Sequence, residues 1–315
     1  MELVRGTVIL EGIHDVLPEW AALFMAAVTH LGDIWFLLIV AIGASWALED
    51  ERGRAQGPWP LAVVVGGLAL LSALKYAFGM PRPELALLPV EQAPSVLRPW
   101  YETAGTTGGY AFPSGHALGT TVTFGLLAGV LDIGTRRQRI AAAATVVGLV
   151  SFSRLALGVH YPIDVVAGVL VGAAYLAAVW WLLERTKAVV DRTTVTLAVA
   201  TALGVVAAIA SGGAQSVLQL LALTAGAFVV WVSRTRPWSQ SRAHNENDRW
   251  RRRVPSVGSM EGEGRTVHTG LFVPTVVLIG TGTVLTDSAA IVAPLFGLGV
   301  ATVLLSKASK DPSLE

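Results

Sequence analysis

The chain has 315 residues, of which 53% are hydrophobic and only 14% charged, with a mean hydropathy of +0.59 and a formal net charge of +1. Ordinary soluble domains carry about a quarter charged residues, so the composition excludes that class, and the balanced charge gives no reason to expect nucleic acid. There are no cysteines, which excludes disulfides, Cys-ligated zinc and thiol catalysis.

In chain order, Glu2, Glu11 and Asp15 surround the short apolar run Val8-Ile9-Leu10. That pattern is unlike a signal peptide, so the chain is expected to insert through its own spans. A bilayer-crossing helix needs roughly 17–25 mostly apolar residues. Nine stretches are candidates, with approximate bounds Asp33–Leu48, Trp59–Gly79, Phe112–Leu131, Ile140–Gly158, Pro162–Leu183, Thr194–Ala210, Ser216–Ser233, Gly270–Thr286 and Ser288–Ser306. Trp20–His30 is apolar but short, either an interfacial helix or a tenth, partial span. The expected fold class is therefore all-α, a polytopic transmembrane helical bundle. Composition shifts near Val190, which suggests a site-bearing region over 1–190. Residues 191–315 then form C-terminal transmembrane helices, divided by an Arg-rich loop at 234–254.

Basic residues fall on one side of this plan. Arg52 and Arg54, then Arg136, Arg137 and Arg139, then Arg185, Lys187 and Arg192 follow alternate spans. So do the seven arginines between Arg234 and Arg253, and finally Lys307 and Lys310. The positive-inside rule makes that side cytoplasmic in a multi-pass protein of the cell membrane. The opposite side, carrying the Met80–Ala111 loop and the His160–Tyr161 turn, is then exterior.

Three polar patches occur at exterior span ends: Lys75 to Arg82-Pro83; Pro113-Ser114-Gly115-His116; and Ser153-Arg154 through His160 to Asp164. Lys75, Arg82 and Arg154 would surround one pocket with cations, which repel unless an anion joins them. A phosphate dianion suits the planar fork of Arg and the compact charge of Lys. Ser114 and Gly115 open a helix, so their backbone N–H groups can point at the same anion. Asp164 lies close enough to His160 to orient its imidazole and leave the other ring nitrogen free to attack phosphorus. His116 would protonate the departing alkoxide and then activate water. No cofactor is called for, and no metal: Glu84, Glu91 and Glu102 make no His-rich ligand set.

The patterns Lys-x6-Arg-Pro, Pro-Ser-Gly-His and Ser-Arg-x5-His-x3-Asp, in that order, resemble the three signature motifs of the type 2 phosphatidic acid phosphatase superfamily. The resemblance covers roughly Thr29 to Leu183. It implies a six-helix phosphatase-like core, with about four additional C-terminal transmembrane helices here. It also implies that Lys75, Arg82, Ser114, Gly115 and Arg154 bind phosphate, while His160 is the nucleophile, Asp164 its partner and His116 the general acid. The implied activity is hydrolysis of a lipid phosphate or pyrophosphate at the outer membrane face through a phosphohistidine.

Rival readings are a vanadate-dependent haloperoxidase-like enzyme, a phosphotransferase, and a non-catalytic lipid-binding or transport protein. Among the remaining polar residues, His30 and Asp33 are expected to cap a helix or to face the substrate. Trp100 and Tyr101 are expected at the interface, where they could gate the site. Asp287 belongs to a surface turn, and the Arg-rich loop to an inside anchor on anionic lipid.

Overall fold

The structure is a computed structural model describing residues 6–48, 57–83, 85–105 and 109–235. Over those residues it is helical, with no strand. The order is α1 (Thr7–Val16), α2 (Trp20–Thr29), a 3-10 turn at His30–Gly32, and α3 (Ile34–Ala47). Then follow α4 (Trp59–Phe78), a 3-10 turn at Val90–Gln92, α5 (Arg98–Gly105) and α6 (Gly115–Val130). The remainder is α7 (Arg136–Ala156), α8 (Pro162–Thr186), α9 (Arg192–Ala210) and α10 (Gln215–Thr235). One compact unit extends to Phe228. The predicted spans Gly270–Thr286 and Ser288–Ser306, Asp287 and most of the Arg-rich loop lie outside the described residues.

Among the described residues, α4, α7, α8, α9 and α10 are each long and apolar enough to cross a membrane. The α2–α3 pair passes the same test together, bent by 43°. Inside lipid a helix satisfies its own backbone hydrogen bonds, which is why these segments take that form. Large apolar side chains such as Val166, Leu170 and Trp181 on α8 are exposed, as a lipid-facing surface requires. The bundle is a multi-pass membrane protein in its helices.

Trp20–His30 thus fits the partial-span reading: it is one arm of this bent pair, packed through Ala22 and Ala26 against Leu88, Tyr101, Ala104 and Leu157. Two helices were not foreseen. α1 arises from the Val8-Ile9-Leu10 stretch and buries Leu10. α5 lies within the Met80–Ala111 connection. α7 begins four residues earlier than expected because Thr135 and Gln138 form a capping box: Gln138 N–H donates to Thr135 Oγ1 at 3.3 Å, and Thr135 N–H to Gln138 Oε1 at 2.8 Å.

The core joins Trp59, Val63, Val64 and Leu71 of α4 to Leu118, Val122 and Leu126 of α6, Tyr175, Leu176 and Val179 of α8, and Val195 of α9. The Tyr175 hydroxyl donates to the Val63 carbonyl at 2.8 Å, so this buried phenol is satisfied. α6 and α8 approach closely through Gly168 and Gly172. A Cβ on Gly168 would stand 2.6 Å from the Ser114 carbonyl oxygen, and one on Gly172 3.0 Å from that of Leu118. Small residues at this four-residue spacing let helix backbones meet in lipid.

This seam is testable with matched substitutions. Gly148 on α7 has nothing within 4 Å of the added Cβ, so Gly148→Ala is expected to be neutral or mildly stabilising. Gly168→Ala gains the same helix propensity but is expected to lose about 1–3 kcal/mol through overpacking against Ser114. Unfolding titrations in mixed micelles would compare the two, and equal midpoints would contradict the close packing.

Candidate active site

α7 ends at Ala156, and the chain turns through Leu157, Gly158 and Val159 before α8 starts at Pro162. Gly158 has φ +70°, and its missing Cβ leaves room for the Leu85 carbonyl, so only glycine fits this turn without strain. Pro162 occupies the first turn of α8, where its lacking N–H costs no helical bond. The result is a fixed position for His160, whose side chain is 1% exposed.

Its two ring nitrogens face different partners. Nδ1 lies 3.5 Å from Asp164 Oδ2, and that oxygen also accepts the Tyr161 N–H at 3.0 Å. Nε2 lies 3.2 Å from Arg82 Nη1. A guanidinium only donates, so Nε2 carries the lone pair and the proton sits on Nδ1, toward the carboxylate. That lone pair accepts from Arg82 and points into the cations, while Nδ1, 3.5 Å from the carboxylate, makes no hydrogen bond among the described residues.

Those cations reach the site from three elements. Lys75, in the last turn of α4, donates from Nζ to the Tyr110 carbonyl at 2.7 Å. Arg82, in the segment after α4, donates to the carbonyls of Gly109 at 3.2 Å and Val159 at 3.1 Å. Arg154, near the end of α7, is wholly buried and donates from Nη1 to Thr29 Oγ1 at 2.7 Å and to the Ala104 carbonyl at 3.1 Å. Lys75, Arg82, Arg154 and His160 lie within each other's electrostatic reach. Gly115 helps α4 approach, since its absent Cβ would stand 3.0 Å from Leu71 and 3.9 Å from Lys75 Cε.

Ser114 departs from expectation. Its backbone N–H does not point toward an anion; it donates to the Asp164 carbonyl at 2.9 Å and so ties the start of α6 to the start of α8. What Ser114 leaves available is its hydroxyl, buried and without a hydrogen-bond partner among the described residues. An unsatisfied buried hydroxyl costs about 1–3 kcal/mol, and a phosphate oxygen would relieve that cost.

His116 follows Gly115 at the start of α6. Its Nε2 lies 3.0 Å from Asp33 Oδ1, and Asp33 Oδ2 lies 2.6 Å from His30 Nδ1 and 3.0 Å from Trp35 Nε1. Asp33 occupies the N-cap position of α3 but makes no side-chain capping bond, so the helix-cap reading of that residue is replaced by this three-way grip. Thr29 is therefore missing from the sequence-derived site, and Asp33, expected either to cap a helix or to face the substrate, is found on His116. The one available signal was a carboxylate between two apolar segments. Tyr101 is also placed differently: it is 2% exposed, with its hydroxyl donating to the Leu88 carbonyl at 2.9 Å, and cannot sit at a gate. Trp100 packs at 5.2 Å between ring centroids against His30. Glu84 lies outside the described residues.

Residues 57–188 match the PAP2 superfamily. A decaprenylphosphoryl-5-phosphoribose phosphatase of Mycolicibacterium smegmatis is 45% identical over 64 residues, which is 20% of this chain and 32% of that protein. Phosphatidylglycerophosphatase B of Escherichia coli is 38% identical over 77 residues, covering 24% of this chain and 30% of the relative. The chain thus spans only about a third of the length of these relatives. A crystal structure of a transmembrane PAP2 type phosphatidylglycerolphosphate phosphatase from Bacillus subtilis aligns with TM-score 0.45 at 25% identity, over 56% of this chain and 84% of the other.

Burial, and then the positive field of Arg154, Arg82, Lys75 and His116, pushes the His160 pKa well below its ordinary 6.5. The folded protein keeps His160 neutral, while the unfolded chain takes up a proton near pH 6.5. Stability linked to His160 is thus complete above that pH and declines as pH falls below it, by up to about 1.4 kcal/mol per unit. Thermal midpoints measured from pH 8 to 5 in detergent are expected to fall less steeply for His160→Gln than for the parent, and parallel curves would refute it.

Proposed function

We propose that this chain, whose residues 57–188 match the PAP2 superfamily, is a metal-independent hydrolase of lipid phosphates or pyrophosphates that works through a phosphohistidine at His160. The observation carrying this reading is the orientation of His160: Nε2 faces Arg82 Nη1 at 3.2 Å and Nδ1 faces Asp164 Oδ2 at 3.5 Å. The relatives' printed names, phosphatases of phosphate groups carried on lipids, support the substrate class. The positions of Lys75 in the last turn of α4 and Arg154 in the last turn of α7, both apolar helices long enough to cross a membrane, support a site at the headgroup level.

In this mechanism Lys75, Arg82, Arg154 and the Ser114 hydroxyl hold the phosphoryl oxygens, with the first amides of α6, Gly115 among them, adding a favourable dipole. Phosphoryl transfer needs chiefly positioning and charge stabilisation, which this cage supplies. His160 Nε2 forms a bond to phosphorus as the ester P–O bond breaks. His116 gives its Nδ1 proton to the departing alcohol or lipid phosphate. In the second half, His116 Nδ1 takes a proton from water, whose oxygen bonds to phosphorus as the Nε2–P bond breaks, releasing inorganic phosphate and returning the lone pair to His160. Asp164 keeps the Nδ1 proton of His160 in place throughout. The residues carrying these roles all lie before Val190; we assign the later helices to a C-terminal region without catalytic residues, although α9 packs into the same core through Val195.

The site end is assigned to the exterior. Arg136, Arg137, Arg185, Lys187 and Arg192 stand at the opposite helix ends, where the positive-inside rule puts the cytoplasm.

Two measurements test this reading. Purified protein with EDTA present is expected to release phosphate from short-chain phosphatidic acid or a polyprenyl pyrophosphate, with vanadate inhibiting. Acid-labile, base-stable phosphate should be trapped on the parent and absent from His160→Ala; near-normal turnover by that variant would sink the mechanism. For topology, the cysteine-free chain offers a clean background. A membrane-impermeant thiol reagent on intact cells is expected to label Glu91→Cys and to spare Lys187→Cys, and the reverse pattern would invert the assignment.

A further inference from the structure

We propose that Asp33 is the positioning residue for His116, a second His–carboxylate pair facing the His160–Asp164 pair across the phosphate site. The proposal rests on the reading above, in which His116 handles the leaving-group proton. His116 Nε2 lies 3.0 Å from Asp33 Oδ1, so the nitrogen turned away from Asp33 is Nδ1. A neutral His116 with its proton on Nε2 donates to Asp33 and presents the Nδ1 lone pair to water. A protonated His116 presents Nδ1–H to the leaving group. Either state requires the ring to keep one orientation, and the carboxylate fixes it.

The carboxylate is itself held. His30 Nδ1 at 2.6 Å and Trp35 Nε1 at 3.0 Å converge on Oδ2, leaving Oδ1 for His116. The backbone at this point is shaped around the pair. α2 ends in the 3-10 turn at His30–Gly32, Asp33 adopts an extended conformation, and α3 starts at Ile34. An aspartate at this position ordinarily caps the following helix, an interaction worth about 1 kcal/mol. Here the side chain leaves that interaction unmade and turns to three side-chain donors instead. Gly32 makes room, since a Cβ there would stand 2.7 Å from His116 Cδ2.

A purely structural role would fasten the α2–α3 bend to α6 and would affect all substrates alike. A positioning role affects only reactions that need the acid. The test therefore compares kcat/KM, which reports events through departure of the leaving group, on short-chain phosphatidic acid and on p-nitrophenyl phosphate, whose phenolate departs without a proton. His160→Ala should abolish both activities. His116→Ala should lose on the order of 10²–10⁴-fold on the lipid, the range for general acid catalysis, and far less on the aryl ester. Asp33→Asn should show the same selectivity with a smaller loss, on the order of 10–100-fold on the lipid.

Equal losses on both substrates, or none, in Asp33→Asn while His116→Ala remains selective would overturn the proposal and leave the mechanism standing. A His116→Ala variant with no selectivity would remove the mechanism and the proposal together. Should Asp33→Asn fail to fold, Asp33→Glu carries the same comparison: a selective partial loss supports the role, and an unselective or absent one overturns it.

Discussion

Asp164 holds two parts of the site in register. Its main-chain carbonyl receives the Ser114 N–H, and its carboxylate receives the Tyr161 N–H while facing His160 Nδ1. One residue in the first turn of α8 thereby joins the start of α6, which carries His116, to the turn that carries His160. Both bonds are buried, where losing a partner costs more than it would in water. The distance between the two histidines is governed by this junction, so the rest of the chemistry is arranged around it.

The junction has to withstand a cluster of like charge. Lys75, Arg82 and Arg154 gather where burial and mutual repulsion both disfavour cations. Lys75 and Arg82 are steadied by main-chain carbonyls of Tyr110, Gly109 and Val159, and Arg154 by Ala104 and Thr29. Carbonyl dipoles offset positive charge without supplying a neutralising anion. The same field keeps the His160 ring neutral, which is the state the proposed attack on phosphorus requires.

The sequence was informative wherever spacing was local. Apolar runs marked α4, α6, α7, α8, α9 and α10 to within a few residues, because each has to satisfy its own backbone in lipid. Short motifs brought Lys75, Arg82, Ser114, His116, Arg154, His160 and Asp164 into view as candidates. What stayed hidden depends on contacts between distant segments. α5 exists as a packed element only because Tyr101 and Ala104 meet α2 and Leu88. The Ser114 N–H finds a carbonyl fifty residues away in sequence, and Asp33 reaches His116 across a bend that no hydropathy profile records. The bend also explains why Trp20–His30 read ambiguously: it is too short to cross alone and complete only with α3.

The α6–α8 seam constrains a position that carries no chemistry of its own. Gly168 belongs to none of the signature patterns and has no side chain to offer a substrate, yet its bare backbone abuts the carbonyl of Ser114. Any side chain placed there would press on Ser114, two residues before His116, and on the bond from Ser114 to Asp164. A glycine buried in the second turn of α8 thus bears on both histidine-carrying segments without touching either ring.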